Sequence, residues 1–103
     1  MLLDEAKATA RMISAGRMLA GLDQEGLASA AEVSASTISN VERGKNKARP
    51  ENLEAIQRAL LRNGVTLIND YYNGRILLSI TYKVQGPIDI FSFVDDTKEA
   101  AVE

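Results

Sequence analysis

The sequence has no cysteine, no histidine, no tryptophan and only two prolines among 103 residues. Without Cys or His, zinc fingers, iron–sulfur centres, disulfide frameworks, Ser-His-Asp triads and thiolate nucleophiles are excluded. Asp, Glu, Lys, Ser, Thr and Tyr are left for chemistry, and no tight cluster of them suggests a reaction. Catalysis is not expected, and neither is a metal or other cofactor. No apolar run approaches the ~20 residues that cross a bilayer. Asp4 and Glu5 stand where a signal peptide needs cations, so a cytoplasmic protein with no membrane contact is expected.

Aromatic residues are scarce and unevenly placed. All five (Tyr71, Tyr72, Tyr82, Phe91 and Phe93) follow residue 70. Earlier residues are mainly Ala, Leu, Met, Glu and Arg, which favour helix; later ones are rich in Ile, Tyr, Phe, Val and Thr, which suit strands. Charge divides the chain less sharply, near residue 64. Residues 1–64 carry nine Lys/Arg against eight Asp/Glu, whereas residues 65–103 carry three against six. The overall charge of −2 also hides four cations in seven residues, Arg43, Lys45, Lys47 and Arg49. Screening over ~8–10 Å makes such a patch count locally. A solvated loop is the ordinary reading of the same residues.

Periodicity and end signals predict four helices. The first runs from about Asp4 to Ala20, with Ala8, Met12, Ala15, Leu19 and Leu22 as its apolar stripe. Asp23 is an N-cap for a second helix, Gln24 to Ala31, and Ser34 for a third, Ala35 to Arg43, closed by Gly44. Pro50 opens a fourth, with Leu53, Ile56, Leu60 and Leu61 on its inner face and Asn63-Gly64 at its end. Two short helices separated by three residues make a helix-turn-helix. After Gly64, Val65 to Tyr72 and Arg75 to Val84 flank Asn73-Gly74, a two-residue hairpin signal. Gly86-Pro87 is a second turn, and Ile88 to Val94 reads as a third strand. The expected fold is thus mainly α, a four-to-five-helix helix-turn-helix domain over 1–64 with two or three antiparallel strands after it. Residues 65–94 form the β extension and 95–103 an acidic flexible tail.

The third helix carries the information. At 100° per residue, Ile38 and Val41 point one way, while Ser36, Ser39, Asn40 and Arg43 point almost opposite. A short, polar, largely uncharged face suits a DNA major groove, where Asn pairs with adenine and Ser with several base edges. The cationic run follows where phosphates would flank the groove. An ordinary solvated helix face fits the same pattern.

The stretch SAGRMLAGLDQEGLASAAEVSASTISNVERGKNKARPENLEAIQRAL resembles the helix-turn-helix domains of the phage repressor and Cro type, the XRE family, over roughly residues 11 to 68. The matches at fixed spacing are Arg17, Leu22, Gln24, Leu27-Ala28, Val33-Ser34, Ser36-Thr37-Ile38-Ser39 and Glu42-Arg43-Gly44. The resemblance implies that Ala35, Ser36, Ser39 and Asn40 read bases. It gives Gln24, Arg43, Lys45 and Lys47 to phosphates, with Gln24 also buttressing the reading helix. It implies a partly buried Arg17–Glu42 ion pair; two separately solvated charges are the alternative. Glu32 occupies the turn position where the family usually has Gly, so either the turn relaxes or Glu32 is strained. Ala35 and Ser36 are small, which shifts readout toward DNA shape.

The expectation is a sequence-specific transcriptional repressor that binds a palindromic operator in double-stranded DNA as a homodimer. The extension, with Ile76, Leu78, Ile80, Tyr82, Phe91 and Phe93, is expected to form the dimer interface. The rival is an antitoxin or antirepressor-like module whose β extension binds a partner protein.

Overall fold

The computed structural model describes residues 3–82. Four helices, α1 (Glu5–Leu19), α2 (Gln24–Ala31), α3 (Ala35–Arg43) and α4 (Pro50–Arg62), precede a hairpin of β1 (Val65–Asp70) and β2 (Arg75–Ile80). The third strand, Phe91, Phe93 and the acidic tail lie outside the described residues.

The side chains of Asp4, Asp23 and Ser34 accept from the backbone N–H of Lys7, Gly26 and Thr37, capping the first three helices. Pro50 begins α4, where its missing N–H costs nothing. Ile13, Leu27, Ile38, Ile56, Leu60 and Val65 are fully buried and centre the core. This differs in part from the predicted faces. On α1 the buried residues are Ala10, Ile13 and Gly16, whereas Ala8, Met12 and Ala15 are half-buried and Leu19 is exposed. Apolar residues occupy two sides of α1, and the helical core takes the side with the small Gly16. A Cβ there would lie 3.2 Å from Val65 Cγ1 and 3.4 Å from Leu60 Cδ1. On α4, Ala59 is buried instead of Leu61, which is exposed.

The hairpin packs along α1, reaching Gly16 through Val65 and Leu78 and extending over Thr9 and Met12. Val65 pairs with Ile80, Leu67 with Leu78 and Asn69 with Ile76, which puts these six on one face. Leu67, Leu78 and Ile80 pack against the helical core, so the hairpin completes that core. Gly64 makes the junction: its φ is +83°, and a Cβ there would overlap the carbonyl oxygen of Thr81, whose N–H donates to the Gly64 carbonyl at 2.8 Å. The turn itself differs from the two-residue type. Asp70 pairs with Arg75 across a four-residue loop in which Tyr71–Asn73 form a 3-10 turn and Gly74 is left-handed. A two-residue I′ turn would need positive φ at both Asn73 and Gly74. Asn73 instead donates to the Asp70 carboxylate at 2.9 Å, which Arg75 Nε also reaches at 3.0 Å. First Arg75 and then Asn73 hold the Asp70 carboxyl below its usual range. This clamp is present above the ordinary carboxyl pKa and is lost as pH falls through the depressed one.

Glu32, at the end of α2, has φ 58° and ψ 41°, the left-handed conformation expected if the turn does not relax. A side chain there costs about 1 kcal/mol. Relief of that strain is offset in part by the extra unfolded-state freedom of glycine. Glu32→Gly is therefore expected to raise the midpoint of thermal unfolding by a few degrees at most, roughly 0–4 °C, as read by thermal unfolding of the two proteins.

Candidate nucleic-acid interface

Helix α3 owes its position to two anchors. Ile38 and Val41 are buried on its inner side. At its C-terminus Gly44 adopts φ +65°, and a Cβ there would lie 3.0 Å from Ala10 Cβ and 3.3 Å from Lys7 Cα. Only glycine lets the chain turn this close to α1. The outer side leaves Ala35, Ser36, Asn40 and Arg43 exposed and Ser39 half-buried. Ser36 Oγ lies 3.0 Å from Ser34 Oγ, so its hydroxyl is partly committed to the helix cap. Asn40 is exposed and has no such partner among the described hydrogen bonds.

A bidentate ion pair sets the tilt of α3. Arg17 Nε donates to Glu42 Oε2 at 2.8 Å and Arg17 Nη2 to Glu42 Oε1 at 3.1 Å. A third guanidinium nitrogen, Nη1, donates to the Leu22 carbonyl at 3.0 Å, and the Gln24 amide reaches Glu42 Oε1 at 3.4 Å. The side chains are 16% and 8% exposed, respectively, so this network is largely withdrawn from water. The hydrogen bond to Glu42 raises the Arg17 pKa above its ordinary value, so the guanidinium is charged throughout the working range. The Arg17 bond to Leu22 ties the α1–α2 turn to the same cluster. No spacing in the sequence signals that contact, because it uses a backbone atom.

The cations lie beside the outer face. Arg43, Lys45, Lys47 and Arg49 are exposed and, together with Thr37 and Asn40, line one polar hollow between α3 and the α3–α4 loop. Among the described residues the ion pairs are Arg17–Glu42, Lys47–Glu5, Arg58–Glu54 and Arg75–Asp70. Arg43, Lys45 and Arg49 are thus unpaired there, while Lys47 is 3.2 Å from Glu5.

Of the hairpin residues expected at a dimer interface, three are partly covered within the protomer and Tyr82 is exposed. Ile76, Leu78 and Ile80 are half-buried on the face turned to the helices, and the Tyr82 hydroxyl donates to the Leu19 carbonyl. Period-2 alternation grouped these side chains correctly but carried no sign of what they cover. Phe91 and Phe93 lie outside the described residues. Among the described residues no His/Cys/Asp/Glu group could hold a metal ion, and no helix is long and apolar enough to cross a membrane.

A second helix that presents polar side chains, with a cationic loop at its end and a first helix buttressing it, defines a helix-turn-helix DNA-binding domain. A family profile described as Helix-turn-helix matches residues 13–62. That segment belongs to the XRE family of helix-turn-helix DNA-binding proteins. No curated protein matches the chain.

Proposed function

We propose that the protein is a sequence-specific transcriptional repressor that binds a two-fold symmetric operator as a homodimer. The observation that carries this reading is the exposed Ser36–Asn40–Arg43 face of α3, flanked by the cations Lys45 and Arg49, which are unpaired among the described residues. Asn40 supplies direct readout of a base edge; Arg43, Lys45 and Arg49 supply phosphate contacts that fix register. Gln24 supports α3 through Glu42 and stands at the first turn of α2, where its remaining donor is suited to a phosphate. One α3 spans too few base pairs to be selective, so two copies would engage half-sites about one helical turn (~34 Å) apart. With Ile76, Leu78 and Ile80 turned inward, a second copy would use the opposite face of the hairpin, where Ile68 and Leu77 are paired and exposed.

Asn40→Ala is expected to weaken binding to the preferred site by about 1–3 kcal/mol and to relax choice at one base position. Ser36→Ala should do less, since its hydroxyl is shared with Ser34. Titration of both variants against the preferred duplex and its single-base variants checks this; unchanged affinity and preference in both would remove α3 as the reading element. The antitoxin-like reading has one observation in its favour, the exposed Tyr71 and Tyr72 rings packed edge-to-face at the hairpin tip. A protein that co-purifies at fixed stoichiometry and shields those rings would favour it.

A further inference from the structure

The first two turns of α1 precede the matched segment 13–62 and yet dock on the loop that carries the cations. Three contacts place them. Asp4 caps the helix by accepting from the Lys7 N–H at 2.8 Å, which fixes Glu5 as the first helical residue. Ala10 and the Lys7 backbone close on Gly44 at the end of α3. Glu5 and Lys47 then meet at 3.2 Å across a hollow also lined by Thr9, Asn46 and Leu53. Both side chains are more than two-thirds exposed, at 71% and 75%. The pair is therefore open to exchange with an anion from solution, and it adds little to the stability of the fold. Among the described residues, Lys47 is the one member of the cationic run that is neutralised within the protein.

We propose that Glu5 is a built-in competitor for DNA phosphate at Lys47, so that the N-terminal turn of α1 sets the overall affinity without touching base choice. The inference rests on the DNA-binding reading. A carboxylate within reach of Lys47 keeps the ammonium paired in the free protein, and a phosphate must displace it. The competition acts equally on every sequence because phosphates carry no base identity. It also lowers non-specific binding, which depends on the same cations.

The test is a double-mutant cycle on the full chain with wild type, Glu5→Gln, Lys47→Gln and the double variant, each titrated on one fixed duplex. Glu5→Gln is expected to tighten binding about threefold per protomer, or about tenfold for a two-protomer complex. The slope of log affinity against log salt should change by less than the ~0.9 of one phosphate per protomer, because Lys47 meets the same phosphate in both complexes. In the Lys47→Gln background the Glu5→Gln gain should vanish. Equal affinities of wild type and Glu5→Gln would overturn the proposal. So would a gain that persists without Lys47, since that would be general charge repulsion. If none of the four proteins binds duplex DNA, the DNA-binding reading itself fails, an outcome distinct from binding without coupling.

Discussion

Arg17→Met is expected to destabilise the protein by about 3 kcal/mol, because it leaves the Glu42 carboxylate buried with only the Gln24 amide at 3.4 Å. A domain of this size is stable by roughly 4–12 kcal/mol, so the loss takes a large share. It should lower the midpoint of thermal unfolding by more than 10 °C. Glu42→Leu should cost less, since Arg17 keeps its bond to the Leu22 carbonyl and can extend toward water. The double variant Arg17→Met/Glu42→Leu should recover part of the loss, as apolar replacements of buried pairs often do. Because the hydrogen bond to Glu42 raises the Arg17 pKa, the stability that this charge contributes is lost only as pH rises through the arginine range. Thermal unfolding of the three variants checks this. Two single variants that melt like wild type would show that the pair does not hold α3.

A chain ending at Gly64 is expected to lose cooperative unfolding altogether. Val65 is fully buried in the core, and the partly buried Leu67, Leu78 and Ile80 pack against the same core. Fully burying one such side chain stabilises a fold by about 1.5–3 kcal/mol, so losing four partly or fully buried ones rivals the whole stability. The helical part also has few spare contacts, since a unit of about 60 residues buries only a marginal fraction of its surface. Val65→Ala is the milder form, with an expected loss of about 1–3 kcal/mol. Heat-capacity scans of the truncation and the point variant check the result. A truncated chain with a sharp transition near that of the full protein would make the hairpin an appendage.

Composition suggests the reverse, a helical part that stands apart from its extension. The change from Ala- and Leu-rich to Ile- and Tyr-rich sequence at residue 64 marks a real change from helix to strand, but the two parts share one core. Alternation told which strand residues share a face; only the fold shows that the face covers α1. Elements with strong end signals were legible in full. Asp23, Ser34 and Gly44 delimit α2 and α3 at the residues where the structure begins and ends them. The inner face of α1 was not legible, because Ala8, Met12 and Ala15 form as good a stripe as Ala10, Ile13 and Gly16, and the choice depends on what docks. The Asn73-Gly74 turn was placed correctly but typed wrongly, since Asp70 draws Asn73 into a local hydrogen bond that the dipeptide does not encode. Within the candidate site, the exposed face of α3 followed from helical angles, whereas the Arg17–Glu42 pair came only through family resemblance. The Glu5–Lys47 contact had no signal in the sequence at all.

Binding of the DNA duplex by the α3 face and its cations, unpaired among the described residues, rests on charge. Its most direct measurement is the salt dependence of binding by the full chain to a duplex selected from random sequence, over roughly 50–200 mM salt. If Arg43, Lys45 and Arg49 each neutralise one phosphate in each of two protomers, the slope of log affinity against log salt should be near −5. Lys45→Ala should then weaken binding to all sequences alike and make that slope shallower by about 2. A flat salt response in the intact protein, or a Lys45→Ala variant with wild-type slope and affinity, would show that this face does not bind the duplex.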